Sequence, residues 1–172
     1  MHPDARELIE TLDLAPHPEG GFFKETFRSK IVLSGMPWLP REVPRSASTA
    51  IYFLLPAGAF SSFHRVMSDE VWHHYAGDPV VLHTLESPSD AGARSIHEEV
   101  RLGSDVREGQ RPQHVVRGGV WQAAAATGDR YALCGCTVAP GFDFADFVMP
   151  GRDELCAMFP DHAALIASLT RR

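Results

Sequence analysis

From about residue 48 to residue 148 the chain reads as a succession of short β-prone runs with no helical period between them. That spacing limits the fold more than any other feature. The runs fall at about 48–55, 60–66, 70–75, 79–86, 96–100, 112–117, 120–126, 131–138 and 142–148. They are separated by turn-rich segments such as PAG, MSD, AGDP, GSDVREGQ, RGG, TGDR and APG. Parallel neighbours need long crossovers, usually helical, so the pattern predicts an all-β antiparallel sandwich or barrel.

The ends have a different period. Pro3 to Leu14 carries Leu8, Ile9 and Leu12 at helical spacing after Asp4, and predicts a short N-terminal helix. Asp153–Met158 and His162–Leu169 predict two short C-terminal helices around Pro160, the second with Leu165, Ile166 and Leu169 on its apolar stripe. The segment APHPEGG breaks the first helix, and Phe22 to Ser29 then alternates as a strand. Its alternation puts Phe23, Glu25 and Phe27 on one face and Phe22, Lys24, Thr26 and Arg28 on the other. Residues 34–46, around Trp38, form a long loop, a kind of segment often used for function or partner contact.

With 172 residues and no internal repeat, a single domain over 1–172 is expected. A formal net charge of −6 and the lack of a basic cluster beyond Arg171 and Arg172 argue against nucleic acid as a partner. No run approaches the apolar length of a membrane helix, and the first residues lack the signature of a secretory signal. A cytoplasmic protein is the expectation. The three cysteines fit a reduced state, because Cys134 and Cys136 lie on one face of one strand, too far apart for an easy disulfide.

The densest chemistry lies in Phe63–Pro79, which holds His64, Glu70, His73 and His74. Strand parity puts Glu70, Trp72 and His74 on one face, and Val71, His73 and Tyr75 on the other. Imidazole and carboxylate side chains suit a divalent transition metal. They equally suit a metal-free site in which a carboxylate holds a histidine as general base. A self-satisfied polar network is the third reading, and the residues alone leave all three open.

Gly58, His64, Glu70 and Gly77 resemble the first cupin motif, in which a glycine is followed by His-x-His, a glutamate and a second glycine. Val66 stands where that motif has its second histidine. Residues 117–122, RGGVWQ, resemble the second motif, with Arg117 in place of proline and Gln122 in place of the usual histidine ligand. The blocks HPEGGFFKETFRS, RSASTAIYFLL, FSSFHRVMSDEVWHHYAGDP, GGVWQAA and VAPGFDFADF, in this order, resemble the cupin type five family over nearly the whole chain.

The resemblance implies a double-stranded β-helix, or cupin jelly roll, with short N-terminal and C-terminal helices. It also implies a homodimer and an interior pocket similar in shape to that of deoxysugar 3,5-epimerases. On an epimerase-like reading, His64 is the general base, Glu70 orients it and Tyr52 handles the second proton. Trp72, His74, Gln122 and Arg65 or Arg28 then contact a polar, sugar-like ligand. On the metal reading, His64, Glu70, His74 and Gln122 form a mixed ligand set for a divalent transition metal. A metabolite sensor without turnover is the third class. Structural roles stand beside these: Trp72 and Trp121 as core, Arg28 with Glu25 as an ion pair, His17 as a hydrogen-bonding loop residue, and His83 on the face opposite Val80 and Leu82.

Overall fold

The computed structural model describes residues 1–36, 43–87 and 95–171. The expected loop around Trp38 lies partly outside them, and Trp38 itself is not among the described residues. The described residues form twelve strands: β1 (Ala15–Pro16), β2 (Phe22–Arg28), β3 (Val32–Leu33), β4 (Arg45–Ser46), β5 (Thr49–Pro56), β6 (Phe60–His64), β7 (Asp69–Gly77), β8 (Val80–Glu86), β9 (Ile96–Leu102), β10 (Gln113–Val116), β11 (Trp121–Ala126) and β12 (Tyr131–Ala139). Every named pairing is antiparallel. The strands form a six-stranded sheet in the order β1-β2-β5-β12-β7-β10, a four-stranded sheet in the order β6-β11-β8-β9, and a small β3-β4 ribbon.

This is the cupin jelly roll that the sequence resemblance implies. Its main core lies between the two large sheets, where Phe53, Leu55, Trp72, Cys134 and Cys136 from one meet Val80, Leu82, Leu102 and Ala124 from the other. Burying such side chains contributes roughly 1.5–3 kcal/mol each for the large ones. The helices cover the outer faces. Helix α1 (Pro3–Thr11) packs Ala5 against Leu54 of β5, with Leu14 alongside. Helices α2 (Arg152–Met158) and α3 (Ala163–Ser168) bring Leu155 and Ile166 onto Phe63, Leu85, Trp121 and Ala123 of the four-stranded sheet. No helix among the described residues is long and apolar enough to cross a membrane.

The expected strand at 142–148 is absent. Asp143 accepts the Ala145 backbone N–H at 2.8 Å and starts a short 3₁₀ turn over Phe144–Asp146. An Asp side chain that bonds the backbone two residues on closes a turn where an extended ladder was expected. Only an isolated antiparallel bridge, Arg65 with Val148, remains of the pairing. The turn places Phe142, Phe144 and Phe147 at one end of the sandwich.

Local irregularities also redirect side chains. The β2–β5 ladder shifts between Glu25 and Phe27, so Glu25 pairs with Ile51, Phe27 with Ala50 and Arg28 with Thr49. Such a bulge flips the parity of everything beyond it. Arg28 therefore joins Phe23 and Glu25 on the inner face, and the expected placement on the opposite face is corrected.

Candidate active site

The end of the sandwich nearest the 142–147 turn holds a cavity of about 270 Å³. His64, at the end of β6, and Glu70, near the start of β7, project into it. Thr49 and Ile51 of β5, Cys136 and Val138 of β12, and Val66 add its inner wall, while Phe142, Phe144 and Phe147 form an aromatic side. The position of Val66 is informative. The residue that replaces the second histidine of the cupin motif faces this same cavity.

A further carboxylate, absent from the candidates that the sequence suggested, sits at the centre. Glu19 is only 6% exposed and lies 3.3 Å from His64 Nε2 through its Oε2. Ser61 Oγ donates to its other oxygen at 2.8 Å. The turn that delivers it depends on glycine: Gly20 has φ +121° and Gly21 φ +67°, and a Cβ at either would stand 2.2 Å from the Phe60 carbonyl or 2.6 Å from the Leu54 carbonyl. His17, from the same turn, places Nδ1 3.4 Å from both the Glu19 backbone nitrogen and Glu19 Oε2. The expectation of a hydrogen-bonding loop residue is thus met in its contacts, and the ring also lines the cavity. The signal for Glu19 lay in the His-Pro-Glu-Gly-Gly run, where an acidic residue is held next to two glycines.

The protonation of His64 follows from its partners. Nδ1 lies 2.8 Å from the Ser62 carbonyl, which can only accept, so the hydrogen-bond network assigns the proton to Nδ1. Nε2 then carries a lone pair toward Glu19. Burial lowers the His64 pKa, an effect partly offset by Glu70, and it lowers His17 to about 4. The same burial raises Glu19 to about 8 and raises Glu70. Burial therefore favours neutral imidazoles facing protonated carboxyls, a set in which a proton can pass from carboxyl to imidazole to give an adjacent ion pair.

Glu70, 7% exposed, is not held by His64. Its Oε2 accepts from Gln122 Nε2 at 2.5 Å, and Gln122 Oε1 in turn accepts from Trp72 Nε1 at 2.9 Å. The role of orienting His64, expected of Glu70, falls to the Ser62 carbonyl and Glu19. Gln122 is fully buried behind Glu70 and acts on the cavity through it. Trp72 is core, touching Phe53 edge-on at 5.6 Å.

The remaining sequence candidates lie elsewhere. Tyr52 is on the outer face of the six-stranded sheet, edge-on to Tyr75 at 6.2 Å, because its neighbours Ile51 and Phe53 point inward. It cannot exchange a proton with the cavity. Arg65 lies over the Trp121 ring at 4.5 Å, on the outer side of the four-stranded sheet. His74 shares the inner face with Glu70, as parity predicts, but its Nε2 is 3.1 Å from the Asp78 carbonyl at the other end of β7. His83 is on the face opposite Leu82 and approaches His97 at 3.2 Å.

A divalent metal of the usual cupin kind does not fit these residues. Val66 has no donor atom, both ends of the Gln122 amide are already engaged, and His74 is remote, so the set His64, Glu70, His74 and Gln122 does not assemble. Among the described residues no group of three His, Cys, Asp or Glu side chains could hold a metal ion.

Comparison with known proteins agrees with this architecture. The family model described as Cupin superfamily (DUF985) matches residues 6–150. An uncharacterized Saccharomyces cerevisiae protein is 33% identical over 177 residues, covering 95% of this chain and 85% of its own. A hypothetical protein from Leishmania major superposes with a TM-score of 0.86 at 34% identity, covering 98% of this chain and 99% of the other. A Shewanella oneidensis protein gives 0.82 at 34%, covering 99% and 98%. The chain belongs to the cupin superfamily, in the type five branch that its sequence blocks resemble.

Proposed function

We propose that the cavity binds a small polar metabolite bearing a carbonyl group and that His64 is a general base acting on the carbon next to it, the chemistry of an isomerase or epimerase. One observation carries this reading: the Ser62 carbonyl fixes the proton on Nδ1 and leaves Nε2 with a lone pair at the cavity wall beside Glu19, available to a substrate that displaces that contact. A base needs an accessible lone pair, a defined tautomer and a pKa that lets it return the proton. His64 supports all three.

In the forward step the substrate C–H bond breaks, its proton passes to Nε2, and the electron pair moves into an enolate. The enolate oxygen then takes a hydrogen bond or a proton from a neutral carboxyl. Glu19 is the better donor, since its carboxyl, held near pKa 8, keeps its proton at neutral pH and lies beside Nε2. Glu19 thus takes the part assigned to Tyr52 from the sequence. Delivery of a proton to the opposite face of the same carbon completes an epimerisation; delivery to the former carbonyl carbon, with loss of the hydroxyl proton on the first carbon, completes an isomerisation. A buried neutral acid that donates to a developing oxyanion stabilises it more than the same acid would in water.

Solvent exchange tests this reading. Carbonyl metabolites incubated with the protein in D2O should lose the α-proton signal in one-dimensional NMR, and His64→Asn should slow that loss by about 100-fold or more. Full exchange by His64→Asn would rule out the base assignment. Ligand-induced stabilisation with no exchange for any compound that binds would favour a sensor.

A further inference from the structure

Acidic and basic groups around the cavity are unequal in number. Among the described residues four acidic side chains line it, Glu19, Glu25, Glu70 and Asp143, against one permanent cation, Arg28. That cation is already engaged. Arg28 Nε and Nη2 donate to the Glu25 carboxylate at 3.0 and 2.7 Å, and Nη1 and Nη2 reach the Phe142 carbonyl at 3.2 Å. Among the described lining residues an anionic ligand would find no free positive group, and would lose its hydration without a counter-charge in return.

The aromatic side of the cavity has the complementary property. Phe142, Phe144 and Phe147 pack edge to face, with centroids 5.0, 5.9 and 6.0 Å apart. Phe23 adds a fourth ring across the turn, edge-on to His17 at 4.6 Å. The negative face of an aromatic ring attracts a cation most strongly where water is excluded. None of these phenylalanines offers a hydrogen bond, so a neutral polyol gains little from this wall.

We propose that the ligand of this pocket is a small organic cation, an ammonium compound or its like, seated against the Phe142–Phe144–Phe147 wall with its charge toward Glu19 and Glu70. The proposal rests on the reading that this cavity is the ligand site and adds the class of compound it takes. It also fits the proposed chemistry, because a positive group next to a carbonyl makes the intervening C–H more acidic. When the cation arrives, Glu70 loses its proton to solvent and becomes the counter-ion, while Glu19 keeps its own and remains the acid; total charge in the pocket is unchanged and one proton is released.

Choline and its neutral carbon isostere 3,3-dimethylbutan-1-ol separate charge from shape, and 3,3-dimethylbutanoate supplies the anion. Titration calorimetry on the full chain at pH 7 should show choline binding at least tenfold more tightly than the neutral alcohol. The butanoate should give no heat. Runs in two buffers of different ionisation enthalpy should show proton release with choline alone. Glu70→Gln and the exposed rim variant Asp143→Asn should each weaken choline while leaving the alcohol unchanged, Glu70→Gln by about tenfold. Equal or tighter binding of the alcohol, or of the butanoate, overturns the cation class while the pocket stays a ligand site. If none of the three binds and Val66→Trp, which fills the cavity, leaves any α-proton exchange intact, both the cation class and the site reading fail.

Discussion

The two ends of β7 carry the same kinds of side chain on the same face and have opposite fates. Glu70 opens onto the cavity with His64, Glu19 and Cys136 around it, whereas His74 turns to the Asp78 carbonyl and leaves its Nδ1 buried without a hydrogen-bond partner among the described residues. Between them lies Trp72, whose indole fills the layer and ties Gln122 to Glu70. Four residues of strand separate the pair by about 13 Å along the chain. Parity decides which face a residue occupies, and depth along the strand decides what it meets there. A potential ligand becomes a site residue only when both agree.

The strongest way to break this comparison is to remove the groups at each end. His64→Asn should lower α-proton exchange by about 100-fold or more, while His74→Asn should change it less than about twofold. Deuterium incorporation followed by NMR measures both. Comparable losses would mean that the two ends form one site, contrary to the separation that Trp72 imposes.

Removing the divider is expected to act on stability. Trp72→Ala should cost about 3–5 kcal/mol, measured by urea unfolding, because it empties a fully packed layer. Trp72→Phe keeps much of the volume but leaves Gln122 Oε1 without its donor, and should cost about 1–3 kcal/mol. If the phenylalanine variant loses nothing, the Trp72–Gln122–Glu70 chain does not hold the Glu70 carboxyl in place.

The cavity end should also give the protein a pH dependence that the His74 end lacks. Glu19 has its pKa raised from the ordinary 4.5 to about 8, so between those values the folded chain holds a proton that the unfolded chain has lost, and stability falls as pH rises. His17, lowered from 6.5 to about 4, acts in the opposite direction below pH 6.5. The two effects oppose one another from about pH 4.5 to 6.5. Above that, Glu19 acts with Glu70, whose shift has the same sign, and stability should drop by about 2 kcal/mol between pH 6.5 and 8. Denaturant unfolding at the two pH values measures it, and Glu19→Gln should flatten the slope.

Much of the fold could be read from the sequence, since turn segments bound most strands to within a few residues and five sequence blocks carry the family pattern. The site was less legible, for local reasons. Thr49 to Pro56 is apolar on both faces, because α1 covers the outer one, so alternation could not tell Tyr52 from Ile51. Arg28 changed face through a bulge at Thr26, and a single inserted residue leaves no clear mark in a polar strand. Glu19 sits in a turn where periodicity has nothing to report. His64 and Glu70 were legible because both lie near strand ends, where parity and motif spacing point to the same place.

The metal question is a smaller test of the same comparison. A metal at a hundred times its dissociation constant would stabilise the fold by about 2.7 kcal/mol, so dialysis against EDTA followed by thermal unfolding should reveal one. The donor arrangement predicts no shift on dialysis and none on adding Mn, Fe, Ni or Zn ions, checked on protein purified without a histidine tag. A gain that disappears in His74→Asn would require His74 and Glu70 to share an ion across the Trp72 layer.

The smallest expected effect concerns the quiet end itself. His74→Phe removes the buried Nδ1, which has no partner among the described residues, and keeps a planar ring, while it gives up the contact from Nε2 to the Asp78 carbonyl. Relief of an unpaired polar atom and loss of one hydrogen bond are each worth about 1 kcal/mol with opposite signs. The urea midpoint should therefore move little, with stability within about 1 kcal/mol of the parent and α-proton exchange unchanged. A loss well beyond that would mean that the Asp78 turn depends on this histidine, so that the end of β7 remote from the cavity carries a structural load of its own.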